Sequence, residues 1–569
     1  MPQVFSRLLS NKHFYKKWYS LLLLLFVIIV VLFIRNITKK ETAINVNHEE
    51  ESDYLWDNSN VTLITLNGTS IKVTGSGASA DGSKVTVREP GNYSFSGSLI
   101  NGQVVVDTPD KGVVRLILNG ANIHCEASAP IYIINADKTL IHLVEKKENC
   151  LSDGTSYTTV KGEPSATVFC KSDLTIFGQG KLTVTGNYQD GITSKDGLIL
   201  KSGNITVSAV DDGIRGKDYL MLMDGTINVT SGGDGLKSDN GLSKSLGFVS
   251  IYKGDITITS GGDAIAAQTD IMIADGKFNL TSGGGSSKAR KMASSKGIKA
   301  LSGLTIEKGT FVISSADDAL HTNKKMTING GSYTLSSSDD ALHADSALTV
   351  NAENLMVSGS REGFESHIIS IKGGNIGIVS SDDAINATAG QSTGEDDKSF
   401  LYINGGNITL NASSGDAVDS NGSIVMTAGK LVAHGSGSPP EAAIDYNKTF
   451  IISGGLLIAA GPNSNYIMPP SNTSSQNSLM VIFKNFMAPG TVFRLEDSKG
   501  NEIVTFAPFR KYRAVMFSSP LLKQGSVYKI YSGGKSTGSL TDGLFSGGIY
   551  TPGVFYDSFE ITGAVKIIH

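Results

Sequence analysis

Two short stretches, SADDALHTN at residues 315–323 and SSDDALHAD at residues 337–345, repeat one pattern at a distance of 22 residues. Each places two adjacent aspartates before a small residue, an aliphatic or aromatic position and a histidine. Alignment of the chain on that apolar position extends the series to Ile192, Ile214, Leu236, Ile265, Ile298, Leu320, Leu342, Phe364, Ile385, Val418 and Ile444. The spacings are 22, 22, 29, 33, 22, 22, 22, 21, 33 and 26 residues, which indicates an internal repeat.

One unit, LILKSGNITVSAVDDGIRG at residues 198–216, contains two short alternating runs, a glycine turn between them, an Asp-rich turn and a third apolar step at Ile214. Three strands and three turns in about 22 residues predict one turn of a parallel β-helix, and the lack of a helical period excludes an ankyrin-type array. We therefore predict an all-β fold, with a parallel β-helix over residues 166–470 and β-rich capping regions over residues 57–165 and 471–569.

The composition excludes several classes of protein. The chain has 569 residues, 65 of them glycine, and a formal net charge of −4, so it offers no basic surface typical of nucleic-acid binding. Its three cysteines, Cys125, Cys150 and Cys170, match neither a disulfide framework nor a metal-site spacing. We expect them to be small buried thiols.

The N-terminal region contains an apolar segment that is long enough to cross a bilayer. LLLLLFVIIVVLFI at residues 21–34 carries no charge, and Trp18 and Tyr19 extend it to 17 residues. No small-residue cleavage site follows, so we predict a transmembrane signal-anchor at 18–34 rather than a removed signal peptide. It separates a short basic tail (1–17) from a linker (35–56), and the bulk of the chain is expected to be extracellular.

The position two residues before the repeated apolar residue is acidic in nine of eleven units. Equivalent positions of a parallel β-helix stack about 4.8 Å apart, so neighbouring carboxylates repel each other by about 1 kcal/mol even in water. A turn uses one aspartate, whereas paired carboxylates on successive coils suit Ca²⁺. The aspartates are therefore either turn residues alone or Ca²⁺ ligands as well, and the predicted ligands are Asp190, Asp211, Asp212, Asp234, Asp317, Asp318, Asp339, Asp340, Asp382 and Asp383.

Basic side chains accompany the first part of this acidic column. Lys195, Arg215, Lys217 and Lys237 fall beside it, either as counter-charges or as a site that binds the carboxylates of an anionic glycan. Two later units place His321 and His343 on neighbouring coils, where they are either turn residues or a pair of metal or ligand-binding side chains.

Several of these stretches resemble a known family: DGITSKDGLIL (190–200), VDDGIRGKDYL (210–220), GGDGLKSDN (232–240), ILNGANIHCEASAPIYI (117–133) and FSGGIYTPGVFYDSFEIT (545–562). The family consists of extracellular carbohydrate-binding β-helix proteins known from cellulose-degrading clostridia, with a fold similar to pectate lyase. The resemblance covers residues from about 60 to 569. It implies a right-handed parallel β-helix, bound Ca²⁺, and binding to polygalacturonate-like and cellulosic polysaccharides. The matching residues are Asp190, Lys195, Asp211, Asp212, Arg215, Lys217, Asp234, Lys237 and Asp239.

Three functions remain open from the sequence. The first is a cell-surface, Ca²⁺-dependent protein that binds acidic or plant-type polysaccharide through Lys195, Arg215, Lys217, Lys237, Asp239, His321 and His343. The second is a polysaccharide lyase, in which Lys195, Arg215 or Lys217 would remove a proton next to a Ca²⁺-bound uronate. The third is a non-catalytic adhesin or structural solenoid. We favour binding over catalysis, and the sequence does not indicate an oligomeric state.

Overall fold

A computed structural model describes residues 47–158, 162–288, 293–390, 397–464 and 467–569. The predicted tail (1–17) and signal-anchor (18–34) lie outside the described residues, as does most of the linker. Within the described residues, no helix is long and apolar enough to cross a membrane. In the described parts of the unit Glu50–His569, the chain forms strands and turns, apart from one short 3-10 helix at Glu51–Tyr54. The all-β prediction is confirmed.

The repeat folds into successive coils whose strands pair in parallel with the strand three places further along the chain. Ile192 lies opposite Ile214, and Ile214 lies opposite Leu236, so the repeated apolar residues stack in register. This pairing produces three parallel ladders, and one coil contributes one strand to each. A coil of three short strands therefore accounts for the 22-residue repeat.

The first ladder follows the Asp-rich turns. Its strands are Lys84–Val87, Gln103–Asp107, Ile131–Asn135, Ala166–Cys170, Asp190–Ser194, Ile214–Gly216, Leu236–Ser238, Ile265–Ala267, Ile298–Ala300, Leu320–Thr322, Ile385–Ala387 and Asp419–Ser420. Two long strands, Leu342–Ser360 and Phe364–Ser380, bend through all three ladders. A last parallel bridge joins Val418 to Ile444.

The second ladder comprises Lys138–Leu143, Asp173–Gly178, Gly197–Leu200, Tyr219–Leu222, Phe248–Ile251, Ile271–Ile273, Gly303–Ile306, Lys325–Ile328, Phe400–Ile403, Ser423–Met426 and Thr449–Ile452. The third comprises Glu148–Asp153, Lys181–Gly186, Asn204–Ala209, Thr226–Ser231, Asp255–Ser260, Lys277–Ser282, Thr310–Ser315, Ser332–Ser337, Asn407–Ala412, Lys430–His434 and Leu456–Gly461.

Glycines at the turns between these ladders have a left-handed backbone: Gly225 has φ +124°, and a Cβ there would lie 2.7 Å from the carbonyl oxygen of Gly203.

The parallel pairing continues on the N-terminal side of residue 166. Val61–Gly68 pairs in parallel with Gly91–Leu99, which pairs in parallel with the long strand Val113–Cys125. Two antiparallel partners, Ser70–Thr74 and Ala78–Asp81, complete this end. Antiparallel pairing thus begins where the stack of coils ends.

Antiparallel strands also follow the last coil. Ser478–Met487, Tyr512–Ser518 and Val565–Ile568 join the main sheet, and Tyr512–Ser518 pairs antiparallel with Leu456–Gly461 of the third ladder. A separate antiparallel sheet contains Ser539–Thr541, Leu544–Ser546, Glu502–Phe506, Phe493–Asp497, Val527–Ser532 and Val554–Glu560, and a small one contains Lys535–Ser536 and Tyr550–Thr551.

The interior is filled by stacked apolar side chains of successive coils. In the third ladder, the rings of Phe278, Phe311 and Tyr333 stack face to face, with centroids 4.5 and 4.7 Å apart. All three residues are buried. Because parallel pairing puts the same ladder position of each coil directly over the last, each ring packs on its neighbours along the axis.

We expect Phe311→Ala to lower the free energy of unfolding by about 3 to 5 kcal/mol, because it leaves a cavity between two stacked rings. The thermal unfolding midpoint, followed by circular dichroism, measures this loss. The matched control is Val312→Ala on the same strand, whose side chain is 48% exposed and should shift the midpoint little. Equal shifts in both variants would contradict the packing described here.

Candidate functional site

The first ladder carries an outward-facing column of residues, one position after each repeated apolar residue. Register pairing stacks these residues directly upon one another, in the order Thr193, Arg215, Lys237, Ala266, Lys299, His321, His343, Glu365, Asn386 and Asp419. We call this set the outward column. Its chemistry changes along the axis from basic, through imidazole, to acidic.

The acidic column, two positions before each repeated apolar residue, links the turns of successive coils. The backbone N–H of Asp212 donates to Asp190 Oδ1 (3.2 Å), and that of Asp234 donates to Asp212 Oδ1 (2.9 Å). The N–H of Asp340 likewise donates to Asp318 Oδ1 (3.1 Å). A short carboxylate side chain reaches a neighbouring amide in a turn, so one oxygen of these aspartates has a structural role. The second oxygen is left to interact with the outward column.

In the first coils, basic side chains neutralise these second oxygens. Lys237 Nζ lies 3.0 Å from Asp212 Oδ2 and 2.9 Å from Asp234 Oδ2. Arg215 Nη2 lies 2.5 Å from Asp239 Oδ2, and its Nη1 lies 3.9 Å from Asp190 Oδ2. Burial opposes the charge of Arg215, but the neighbouring carboxylates outweigh it and raise its pKa. Counter-charge is therefore one role of Arg215 and Lys237.

Two further lysines, Lys299 and Lys296, also neutralise aspartates in later coils. Lys299 Nζ lies 3.3 Å from Asp263 Oδ2. The buried Lys296 occupies an acidic-column position itself, with Nζ 2.6 Å from Asp318 Oδ2 and 3.0 Å from Asp317 Oδ1. These two lysines were not among the predicted site residues, although their positions in the repeat are visible in the sequence.

The remaining predicted cationic residues, Lys195 and Lys217, lie just after first-ladder strands and outside the outward column. Lys195 Nζ is 3.4 Å from Glu163 Oε1, and Lys171 Nζ is 2.7 Å from the other oxygen of that carboxylate. Lys217 lies one coil further on, and its N–H donates to the carbonyl of Ser194 (3.0 Å). The structure thus brings Lys195 and Lys217 to adjacent coils.

The predicted doubled aspartates differ in their surroundings. Asp211 is exposed beside the buried Asp212, whereas Asp317 is buried with Lys296. Asp339 and Asp382 share Arg361, at 3.5 and 3.6 Å.

The two predicted histidines stack on adjacent coils, with ring centroids 4.9 Å apart. Each Nδ1 lies 2.8 Å from the aspartate three residues earlier: His321 on Asp318 and His343 on Asp340. Burial opposes an imidazolium at His343, but hydrogen bonds with Asp340 and Glu365 outweigh it and raise its pKa to about 11. His343 therefore contacts two carboxylates, Asp340 and Glu365, through one ring nitrogen.

In the coils after the histidines, the residues next to the acidic column are themselves mostly carboxylates. Asp416, Asp419 and Asp445 each offer an oxygen within 4.8 Å of the others. Burial, together with repulsion from Asp383 and the other two members, raises the pKa of Asp416 to about 9. Burial and repulsion from Asp445 raise the pKa of Asp419 to about 7. Burial and repulsion from Asp419 and Glu362 raise the pKa of Asp383 to about 8. We call Asp383, Asp416, Asp419 and Asp445 the carboxylate cluster.

Only Asp383 of the carboxylate cluster was among the predicted metal ligands. A signal for the others is present in the sequence, since Asp419 and Asp445 occupy outward-column positions where earlier coils carry Arg, Lys or His. Two sets of predicted ligands also have oxygen atoms within 4.8 Å of one another inside each set. The first set is Asp190, Asp211 and Asp212, and the second is Asp317, Asp318 and Asp339. Both of those sets adjoin the basic side chains described above.

A family model described as "Carbohydrate-binding domain-containing protein" matches residues 81–341 and 338–460. These matches cover the parallel coils and more than half of the chain. The protein therefore belongs to this family of carbohydrate-binding domain-containing proteins.

A protein of Acetivibrio thermocellus with that same description is 39% identical over 136 residues, which are 23% of this chain and 48% of the relative. This chain thus spans about half the length of that relative. A solved structure, described as a gadolinium derivative of the polysaccharide lyase-like protein from C. thermocellum, has 33% sequence identity and a TM-score of 0.40. The alignment covers 43% of this chain and 96% of that one.

The raised pKa values predict how stability depends on pH when a chelator removes metal ions. The unfolded chain releases these aspartate protons near pH 3.8, whereas folded Asp416 retains its proton up to about pH 9. The folded state therefore binds more protons in between, and stability falls as the pH rises from about 4 to about 9. We expect the thermal midpoint in EDTA to decline across this range.

Asp416→Asn should flatten that decline, because the amide oxygen still accepts the N–H of Ala442 without carrying a charge. The matched control is Asp497→Asn, at an exposed residue whose pKa is lowered by hydrogen bonds from Asn501. This control should leave the slope unchanged. A midpoint that stays constant or rises with pH in EDTA would contradict the assignment.

Proposed function

We propose that this carbohydrate-binding domain protein binds acidic polysaccharide in a Ca²⁺-dependent manner, along the outward column. The observation that carries the proposal is the ordered change of that column from basic residues to carboxylates over successive coils. A polymer laid along the axis meets cations at one end and bound Ca²⁺ at the other. Both interact with the carboxylates of a uronate chain.

The carboxylate cluster suits Ca²⁺ in donor chemistry and in size. Calcium takes 6 to 8 oxygen ligands at about 2.3–2.6 Å, so two ligands on opposite sides of one ion are about 5 Å apart. The oxygens of Asp416, Asp419 and Asp445 lie within 4.8 Å of one another. Bound Ca²⁺ would replace the protons that these buried groups otherwise retain, and it leaves coordination positions for oxygens of a glycan.

The basic end would contact glycan carboxylates through Lys195 and Lys217. Arg215 already pairs with Asp239 at 2.5 Å, and Lys237 pairs with Asp212 and Asp234 at 3.0 and 2.9 Å. These two side chains would therefore stabilise the turns beneath the glycan. Lys195 is one third exposed and its partner Glu163 is 3.4 Å away, which leaves its ammonium group accessible to a ligand. We assign direct recognition of uronate to the lysines of these two adjacent coils.

A polysaccharide lyase is the second candidate, because Lys195 and Lys217 lie on the same two adjacent coils as Asp190, Asp211 and Asp212. Arg215 is the weakest of the three predicted bases, since its carboxylate neighbours raise its pKa and keep it protonated. A structural adhesin without a specific ligand is the third candidate. We further propose a right-handed coil of the pectate-lyase type, consistent with the usual hand of parallel crossovers, and display outside the cell through residues 18–34.

The proposal is tested by co-sedimentation of the full-length chain with insoluble polygalacturonate, in Ca²⁺ and in EDTA. Ultraviolet absorbance of unsaturated uronates is followed in the same tubes. We expect binding in Ca²⁺, at least about tenfold weaker binding in EDTA, and no rise in absorbance. A rise in absorbance would favour the lyase, and equal sedimentation with and without polymer would favour the adhesin.

Variants separate the two ends of the surface. Asp419→Asn should abolish most of the Ca²⁺ dependence, and Lys195→Gln with Lys217→Gln should weaken binding at every Ca²⁺ concentration. The matched control is Asp107→Asn, which removes a carboxylate from an exposed ion pair with Arg88 outside the outward column. If the control and Asp419→Asn lose binding equally, the Ca²⁺ assignment is wrong.

A further inference from the structure

The imidazole part of the outward column differs in donor chemistry from the carboxylate cluster. Asp340, His343 and Glu365 each offer a ligand atom within 4.8 Å of the others. His343 Nδ1 lies 2.8 Å from Asp340 Oδ2 and 3.4 Å from Glu365 Oε2. At metal–ligand distances of about 2.0–2.2 Å, neighbouring ligands of Zn²⁺ are about 3 to 3.5 Å apart, so this spacing suits such an ion.

The other nitrogen of His343 is held by a second carboxylate. Nε2 lies 3.1 Å from Asp345 Oδ1, so in a neutral ring protonated on Nε2 this N–H donates to Asp345 and Nδ1 is available to a metal ion. Metal-binding histidines usually donate their second N–H to a carboxylate or carbonyl in this way, which fixes the tautomer and the ring orientation.

Polar atoms beside these residues have no hydrogen-bond partner in the described structure. Asp340 is 4% exposed, and its buried Oδ1 is unpartnered. Ser366 is 2% exposed, its buried Oγ is also unpartnered, and it lines a cavity of about 270 Å³ together with His343 and Glu365. Buried polar atoms without partners are uncommon, and this cavity has room for an ion with its remaining water ligands.

The neighbouring His321 is less suited to binding a metal ion. Asp318, which contacts His321 Nδ1, is already paired with Lys296 Nζ at 2.6 Å. An ammonium group at that distance repels a divalent cation. Asp340 and Glu365 instead contact the imidazole of His343, whose proton a metal ion displaces.

We propose that Asp340, His343 and Glu365 form a site for a divalent transition metal such as Zn²⁺, bound through His343 Nδ1 and open to the adjoining cavity. Imidazole nitrogen favours Zn²⁺, Cu²⁺, Ni²⁺ and Co²⁺, whereas Ca²⁺ and Mg²⁺ prefer oxygen ligands. The site is therefore distinct from the carboxylate cluster proposed to bind Ca²⁺, and it gives Asp340, one of the predicted Ca²⁺ ligands, to a different metal. It does not depend on glycan binding.

The test uses Co²⁺ as the probe, with the untagged full-length chain, no glycan, and excess Ca²⁺ present throughout. Visible absorption of bound Co²⁺ and equilibrium dialysis measure the affinity. We expect Co²⁺ to bind, Zn²⁺ to displace it, and Ca²⁺ not to compete. His343→Gln and Glu365→Gln should each weaken binding by about tenfold to a hundredfold.

Two variants keep the test decisive if those substitutions impair folding. Asp345→Asn alters a side chain that is half exposed and should weaken Co²⁺ binding by about tenfold, because it releases the second nitrogen of His343. The matched control is His124→Gln, where another imidazole pairs with a carboxylate, Glu126, at 3.0 Å. Absence of Co²⁺ binding to the wild-type chain, displacement by Ca²⁺, or equal effects of His124→Gln and Asp345→Asn would overturn the proposal.

Discussion

In-register parallel pairing is the constraint on which the rest of this structure depends. It places each residue over its counterpart in the next coil, about 4.8 Å away, so that any chemistry in the repeat becomes a column. Apolar columns gain from this, as the buried Phe278, Phe311 and Tyr333 rings do. A column of carboxylates is penalised by mutual repulsion and needs compensating charge along its whole length.

The protein compensates its acidic column in different ways along the axis. Lys237 bridges two aspartates in the early coils, and His343 contacts Asp340 and Glu365 in the middle. In the late coils, Asp416 and Asp419 retain protons to unusually high pH. The first solution is built into the covalent chain, whereas we propose that in the other two a metal ion can replace a proton. This gradient gives one repeated surface different charge at its two ends.

The doubled aspartates of the repeat thus have two roles that the same side chain can fill at once. One oxygen of Asp212 accepts the N–H of Asp234 and joins two coils, while its other oxygen meets Lys237. Asp212 therefore acts as a turn residue and as the partner of a lysine at the same time. Under the proposed function, a bound polysaccharide would lie over groups that also hold the coils together. We therefore expect ligand binding and stability to be linked.

The repeat alone determined the all-β class, the length of a coil and the residues that share a column, because period and register are properties of sequence spacing. Val61–Gly68 and its parallel partners were less evident, since the 22-residue period fades before residue 166 although the pairing does not. Only the tertiary structure decided how each charge is balanced. Whether Lys296 reaches Asp318, whether Asp340 Oδ1 is left unpartnered, and whether Asp416 meets other carboxylates depend on side-chain directions and burial. These distances are set by packing between coils, which a single sequence position does not specify.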